Sequence, residues 1–434
     1  MKNYPKLKSL KLLAGQEVTT QVWVETIRKS GGIIFLILRD ISGKAQAIVT
    51  KEDAELFEEV RALTTESILK ITGEIKVEEK APSGFEMMVK KIKVLSRAEE
   101  LPIPVVEKGG EVSIEKRQDW RFLVLRRSRD ALIMKVRTTM DMAYRNFLIG
   151  KGFLEIHTPK LMNSPSESTS DLFELEYFGD KAYLAQSPQL YKQMAIASGL
   201  EKIFEIGKIF RAEESLTTRH ATECMSYDLE TSFVEKIEDI ADLEEELIVH
   251  MMQEIKNAWG DEIKEHFGIE VKIPSTPFPR ITFAEAKDLA KKAGVNEEDD
   301  PDLATAEEKI IGQAIKEKFN HDFVFVTHYP ISGRPFYHKR TENETTESAD
   351  LLMLGMEITT LAIREENYDQ LIKNADHKGV DISNMQWYLD FFKYGCPPHG
   401  GFGMGGARIL MQLLGLPSIR DAMFLFRGPT RIQP

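Results

Sequence analysis

Apolar positions along the first hundred residues recur with a period of two. Between Val18 and Leu95, "VTTQVWVETIR", "IIFLILRD", "AQAIVT", "ILKITGEIKV" and "FEMMVKKIKVL" alternate or run apolar, separated by turn signals such as "KSGG", "ISGK" and "APSG". That pattern predicts five short strands. Between the third and fourth lies "KEDAELFEEVRALTTES", which reads as a helix. After Arg126 the period changes. "RSRDALIMKVRTTMDMAYRNFLIGKG" spaces its apolar residues as a long helix, and mixed strands and helices follow to Pro434. The acidic stretch "IEDIADLEEELIVHMMQEI" reads as an amphipathic helix with a solvated charged face.

Five strands with a helix between the third and fourth is the order of an OB-fold, a small barrel that binds oligonucleotides. The segment from about 102 to 125 has prolines, glycines and mixed charge with little periodicity, and reads as a hinge. The expected division is therefore a barrel over 1–101, a hinge over 102–125 and a large α+β domain over 126–434. A chain of 434 residues exceeds what one hydrophobic core supports, in keeping with two domains. The net charge of −12 argues against nonspecific coating of nucleic acid but leaves room for a local basic face. Two cysteines, Cys224 and Cys396, give neither a disulfide framework nor a CxxC metal site. No leader-like apolar region opens the chain and no long apolar run interrupts it, so a cytoplasmic protein without membrane contact is expected.

Two stretches carry candidate chemistry. In "KIFEIGKIFRAEESLTTRHATECMSYDLE" two apolar strands flank a polar loop, and Arg211, Arg219 and His220 can face one ligand. Guanidinium forks suit phosphate oxygens, although a surface hairpin with solvated charges fits the same pattern. The second stretch, "HGGFGMGGARI", holds five glycines before an apolar run. It lies near the C-terminus, far from the early βαβ unit that a dinucleotide loop requires.

The first stretch resembles motif 2 of the class II aminoacyl-tRNA synthetases, and "QSPQLYKQ" with "FRAEE" and "TTRH" resembles their aspartyl branch in its archaeal and eukaryotic form. "GFLEIHTPKL" resembles the end of motif 1, and "PPHGGFGMGGAR" resembles motif 3, so the resemblance spans nearly the whole chain. It implies an OB-fold that binds the tRNA anticodon, then a catalytic domain on an antiparallel sheet flanked by helices. It also implies ATP-dependent ligation of aspartate to tRNA through an aspartyl-adenylate. Arg211 would bind the α-phosphate, Glu213 would belong to the ATP site, Arg219 and His220 would hold the outer phosphates, and Arg408 would lie over adenine and the γ-phosphate. Lys192 and Arg364 would face the substrate carboxylate, Glu167 the α-amino group, with Gln189 and Asp228 completing the pocket; the asparaginyl relatives lack the lysine. Asp350, Glu357 and Thr360 would hold Mg²⁺ between the phosphates. In the barrel, Phe35, Gln46 and Arg28 would stack on and read anticodon bases. A homodimer through the motif-1 helix and Pro159 is implied as well.

Several positions depart from the family pattern. Ala407 replaces the acid of motif 3, Leu361 a glycine, Ile363 a glutamine, and Cys224 an aromatic residue near adenine. Ser168 and Thr169 replace loop glycines, Ser215 a common histidine, and "FLFRGPTR" the usual Phe-Pro-Arg-Asp, with Arg427 retained. These changes fit either a divergent working synthetase or a paralogue with another acceptor, another amino acid, or tRNA binding alone. Leu361 is expected to narrow the pocket.

Overall fold

The computed structural model describes residues 4–106, 112–164, 171–214, 217–295 and 300–434. The chain divides into two compact units, Met1–Ser128 and Arg129–Pro434.

In the first unit, strands β1 (Glu17–Ser30), β2 (Ile33–Asp40), β3 (Gly43–Thr50), β4 (Ile68–Val77) and β5 (Phe85–Ser96) close a barrel in the order β1-β2-β3-β5-β4. Alternation puts Val22, Val24, Leu36, Leu38, Ala47, Ile71 and Met87 inside it. Helix α1 (Ala54–Arg61) lies between β3 and β4 in sequence, and the Asp53 carboxylate caps it by accepting from the Leu56 N–H at 2.9 Å. This is the OB-fold arrangement that the strand periodicity predicts. The segment read as a hinge contains two short helices, α2 (Ile114–Asp119) and α3 (Arg121–Val124), and its Ile103, Val105, Leu123 and Val124 form their own apolar cluster. Short apolar residues spaced between prolines gave no periodic signal there.

The second unit is built on an eight-stranded sheet. Helix α4 (Ser128–Gly150) precedes strand β6 (Leu154–Glu155), and a small three-stranded sheet follows, made of β7 (Leu161–Met162), β8 (Glu174–Tyr177) and β9 (Asp180–Leu184). Helix α5 (Gln189–Ala197) then leads into the hairpin β10 (Lys202–Phe210) and β11 (Glu223–Ser232). Helix α6 (Ile237–Phe267), strand β12 (Arg280–Thr282) and helices α7 (Phe283–Lys292) and α8 (Thr305–Phe319) come next. They are followed by β13 (Phe323–Thr327), β14 (Ser348–Met353) and β15 (Met356–Ile363). Helices α9 (Tyr368–His377) and α10 (Gln386–Lys393) precede β16 (His399–Gly405), which runs directly into α11 (Gly406–Leu413). The order is β12-β13-β14-β15-β16-β11-β10-β6, antiparallel throughout its centre and parallel only at the β12–β13 and β10–β6 edges. One face packs on α4, α6 and α11 to form the main core.

Helix α6 differs from the solvated acidic helix expected. Glu244 and Glu245 are buried, and Glu245 is paired with Arg280 at 2.8 Å. Burial pushes the Glu244 carboxyl up to about 8 against the Thr359 hydroxyl, with Asp350 and Glu245 adding to the rise. The fold thus retains a proton that the unfolded chain releases above its ordinary carboxyl range, so stability falls as pH rises from about 4.5 to about 8 and levels off above. Glu244→Gln should therefore raise the melting midpoint more at pH 9 than at pH 6; an equal shift at both, or a loss at pH 9, would contradict a protonated Glu244.

Candidate active site

The hairpin β10–β11 and the strands β15 and β16 bring the sequence-predicted residues to the sheet face opposite the main core. A cavity of about 300 Å³ is lined there by Gln189, Arg211, Glu213, Arg219, His220, Asp228, Glu357, Thr360, Arg364 and Arg408. Ten of the residues expected from sequence thus share one wall, although they are spread along the chain from Gln189 to Arg408. Glu167, Ser168, Thr169 and Ser215 lie outside the described residues.

At one end the side chains form a buried charge cluster. Lys192 Nζ sits 3.0 Å from Asp228 Oδ1 and 3.3 Å from Glu230 Oε2, and donates to the carbonyls of Leu229 and Phe402. Arg364 donates from Nε to Glu230 Oε1 at 2.8 Å, and from Nη2 to Gln189 Oε1 at 3.2 Å and to the Gly401 carbonyl at 3.1 Å. Burial works to raise the Glu230 carboxyl, and Arg364 and Lys192 overcome it, bringing it down to about 2. Two cations thus come with two carboxylates. Lys192 was expected to face the cavity directly; it is instead fully buried behind Asp228, which lines the cavity while Lys192 does not. Glu230 was missed in the sequence reading. It stands two residues from Asp228 on β11, so period two places both on one face.

The glycines of β16 make this cluster possible. A Cβ at Gly401 would lie 2.1 Å from the Leu229 carbonyl and 2.6 Å from Glu230 Oε2, and one at Gly406, the first residue of α11, would lie 2.1 Å from the Tyr227 ring. The run is a close-packing device for β11, and Arg408 behind it reaches the cavity.

At the other end four arginines have acidic neighbours. Arg408 Nη1 lies 2.9 Å from Glu357 Oε2, Arg219 Nη1 is 2.5 Å from Glu308 Oε2, and Arg334 Nη2 is 2.5 Å from Asp350 Oδ2. Arg211 is more loosely placed, 3.9 Å from Glu213 and half exposed. Burial and the nearby Arg408, Arg219 and Arg211 hold the His220 imidazole below its ordinary range against Glu213, and the Thr217 hydroxyl meets its Nδ1 at 2.7 Å. His220 therefore faces the cavity as a neutral hydrogen-bonding ring rather than a cation. Arg334 and Glu308 gave no local signal in sequence, because their partners lie 16 and 89 residues away.

Asp350, Glu357 and Thr360 present hard oxygens. Burial pushes the Asp350 carboxyl up to about 6 despite Arg334, and its Oδ1 is buried without a hydrogen-bond partner. Glu357 is also raised by burial, but Arg408 and Arg334 bring it down to about 2, and Thr360 donates to its Oε1 at 3.2 Å. Among the described residues no group of three or more His, Cys, Asp or Glu is placed to hold a metal alone. Glu357 and Thr360 line the large cavity, whereas Asp350 lines only a smaller one of about 50 Å³ that Glu357 also borders; these hard oxygens fit Mg²⁺, which takes few protein ligands and completes its shell with substrate oxygens and water.

The departures separate by face. Cys224 and Ala407 line the cavity, and burial raises the Cys224 thiol. Leu361 and Ile363 do not: both are fully buried in the main core on the other side of β15, away from Thr360 and Arg364. The expectation that Leu361 narrows the pocket is therefore corrected, since adjacent strand residues point to opposite faces. Arg427 bonds the Phe426 and Pro434 carbonyls and is not part of the cavity wall.

On the barrel, Arg28 pairs with Phe35 across β1–β2, and Phe35 pairs with Ile48 across β2–β3, one step diagonally from Gln46. The three share the outward face; the Gln46 amide donates to Glu86 at 2.6 Å.

Residues 113–427 match the class II (D, K and N) tRNA synthetases, and residues 18–95 match an OB-fold nucleic acid binding domain. An aspartate–tRNA(Asp/Asn) ligase of Methanopyrus kandleri is 40% identical over 97% of this chain and 96% of its own length. An aspartate–tRNA(Asp) ligase of Picrophilus torridus is 36% identical, covering 96% and 97%. Among solved structures, an asparaginyl-tRNA synthetase of Pyrococcus horikoshii complexed with asparaginyl-adenylate superposes with a TM-score of 0.93 at 36% identity, covering all of both chains. An aspartyl-tRNA synthetase of Entamoeba histolytica gives 0.89 at 33%, covering all of this chain and 93% of that one. With its catalytic unit matched over most of its length and full-length relatives above 30% identity, the chain belongs to the class II tRNA synthetases of the D, K and N group.

Proposed function

We propose that this synthetase ligates aspartate to tRNA through an aspartyl-adenylate, and the observation that carries this reading is the buried cluster of Lys192, Arg364, Asp228, Glu230 and Gln189 beside the arginine-lined cavity. Arg364, which lines the cavity, meets the side-chain carboxylate, while Lys192 offsets Asp228 and Glu230 from behind, so that those two acids do not repel an anionic side chain. The substrate α-carboxylate attacks the α-phosphate of ATP and pyrophosphate leaves. Arg211, half exposed and weakly paired, is free to follow the charge that develops there, while Arg219, Arg408 and the neutral His220 bind the outer phosphates. Asp350, Glu357 and Thr360 would hold Mg²⁺, which supplies charge neutralisation to the phosphates.

Pyrophosphate exchange with each amino acid tests the reading: aspartate should support exchange and asparagine should not. A second reading rests on the balanced charge of the cluster, two cations against two carboxylates, which an amide side chain would leave undisturbed. Exchange with asparagine in preference to aspartate would establish that one instead. The aspartate names of the relatives from Methanopyrus kandleri and Picrophilus torridus support the first.

The barrel's outward face is proposed as the anticodon surface. Phe35→Ala should weaken tRNA binding by about 1–3 kcal/mol, the worth of one stacked base, and leave amino-acid activation nearly unchanged. A variant that binds tRNA normally would remove Phe35 from that role. The chain is further proposed to pair as a homodimer along α4, whose Met142 and Ile149 are exposed, together with the exposed Pro159. Sedimentation should find a particle of twice 49.5 kDa, and a species of 49.5 kDa alone would count against pairing.

A further inference from the structure

At the end of the cavity away from Arg364, three arginines hold close carboxylate partners, and they differ in what can release them. Arg408 and Arg334 are held by Glu357 and Asp350, the acids that would hold Mg²⁺, so these two arginines share their partners with the proposed metal site. Arg219 is held by Glu308, which lies outside that pair, in the first turn of α8.

Glu308 cannot readily withdraw. A Cβ at Gly312 would lie 2.5 Å from the Gly355 nitrogen, and one at Gly355 would lie 2.9 Å from Lys309 Cα and 3.0 Å from the Glu308 carbonyl. The backbone of α8 therefore rests directly on the β14–β15 turn with no side-chain spacer. The Glu308 carboxylate is buried and also accepts the Glu357 N–H at 3.4 Å. Arg219, by contrast, belongs to the coil between β10 and β11. It borders both the large cavity and a smaller one of about 50 Å³ that Glu308, Asp302, Asp350 and Glu357 also line. The acid thus stands on a helix packed backbone to backbone against its neighbour, and the arginine reaches it from a coil segment.

We propose that Glu308 is a resident counter-ion of Arg219 that the outer phosphates of ATP must displace, a positioning residue that sets nucleotide affinity by holding Arg219 toward the smaller cavity. This rests on the reading of Arg219 as a phosphate ligand. A site competent for ligand only when Arg219 is released binds more weakly in proportion to the released fraction. Removing the acid's charge removes that competition.

Calorimetric titration of the full-length protein with MgATP, without amino acid or tRNA, tests it alongside the ATP dependence of pyrophosphate exchange. Glu308→Gln should tighten MgATP binding and lower KM for ATP by about tenfold, with KM for aspartate changed less than about twofold. In an Arg219→Ala background the same substitution should leave MgATP affinity unchanged within about twofold, because the group it acts through is gone. A purely structural role for Glu308 would instead persist in that background. Unchanged or weaker binding by Glu308→Gln, or a gain that survives Arg219→Ala, would overturn the proposal. If Glu308→Gln does not fold, Glu308→Asp, whose carboxylate is one methylene shorter, should shift affinity the same way by a smaller factor, and no shift or the opposite shift would overturn it equally. A wild-type protein that binds no MgATP at all would sink the nucleotide-site reading itself, whereas wild-type binding with unaltered variants would sink only the role of Glu308.

Discussion

Lys192→Leu is expected to lower kcat/KM for aspartate activation by about two to four orders of magnitude. The expectation follows from what the ammonium touches. Its four contacts are Asp228, Glu230 and two carbonyls, all closed to solvent. Leucine fills the space but leaves two buried carboxylates facing Arg364 alone, and an unmatched buried charge costs about 3–5 kcal/mol. A third carboxylate, that of the substrate, would then enter a cluster already one charge negative. The loss should therefore fall more heavily on aspartate than on ATP, which binds at the other end of the cavity. Pyrophosphate exchange at saturating ATP, normalised to the folded fraction, measures it. A Lys192→Leu variant with wild-type aspartate kinetics would show that the lysine does not govern the substrate and would remove the main support for aspartate. Adding Glu230→Gln to the variant should restore part of the lost stability by rebalancing charge, and should not restore aspartate activation, because Arg364 would then lack its bidentate partner.

Much of this architecture was legible in the sequence because it is local. Period-two runs marked the five barrel strands and the hairpin β10–β11, the polar loop of that hairpin pointed Arg211 and Arg219 to one ligand, and the family resemblance implied Asp228, Glu357, Arg364 and Arg408 beside them. What escaped depends on facing and on distant partners. Glu230 was within reach, since it repeats Asp228 at i+2 on a strand. Glu244 was too: it lies in the row Ile240, Glu244, Leu247, Ile248, Met251, the apolar stripe of α6, so helical spacing already placed this acid inward. Composition misled there, because a run rich in Glu reads as solvated unless each position is assigned to a face. The pairs Arg219–Glu308 and Arg334–Asp350 had no such signal. They join segments that only the folded sheet brings together, and a charged residue in a helix's first turn looks the same whether it faces water or an arginine.

Facing also decides the other large effect. Leu361→Gly, which brings the chain nearer the family pattern, is expected to destabilise the protein by about 3–5 kcal/mol and to give no gain in aspartate activation. Leu361 pairs with Ala349 and Phe402 across β15's two neighbours and is fully buried in the main core. Deleting its side chain leaves a cavity under the sheet, and glycine in a central strand adds a further cost of roughly 0.5–1 kcal/mol in backbone entropy. Its neighbour Thr360 has the opposite orientation and lines the cavity beside Glu357, so only changes at Thr360 should alter nucleotide kinetics directly. Thermal unfolding should show a melting midpoint lower by at least ~5 °C. Exchange measured well below that midpoint should be at or under the wild-type value, since the pocket gains no room. A Leu361→Gly protein with an undiminished midpoint and faster aspartate activation would mean that residue 361 faces the substrate, that the face assignment of β15 is inverted, and that the leucine is a genuine obstruction rather than core packing.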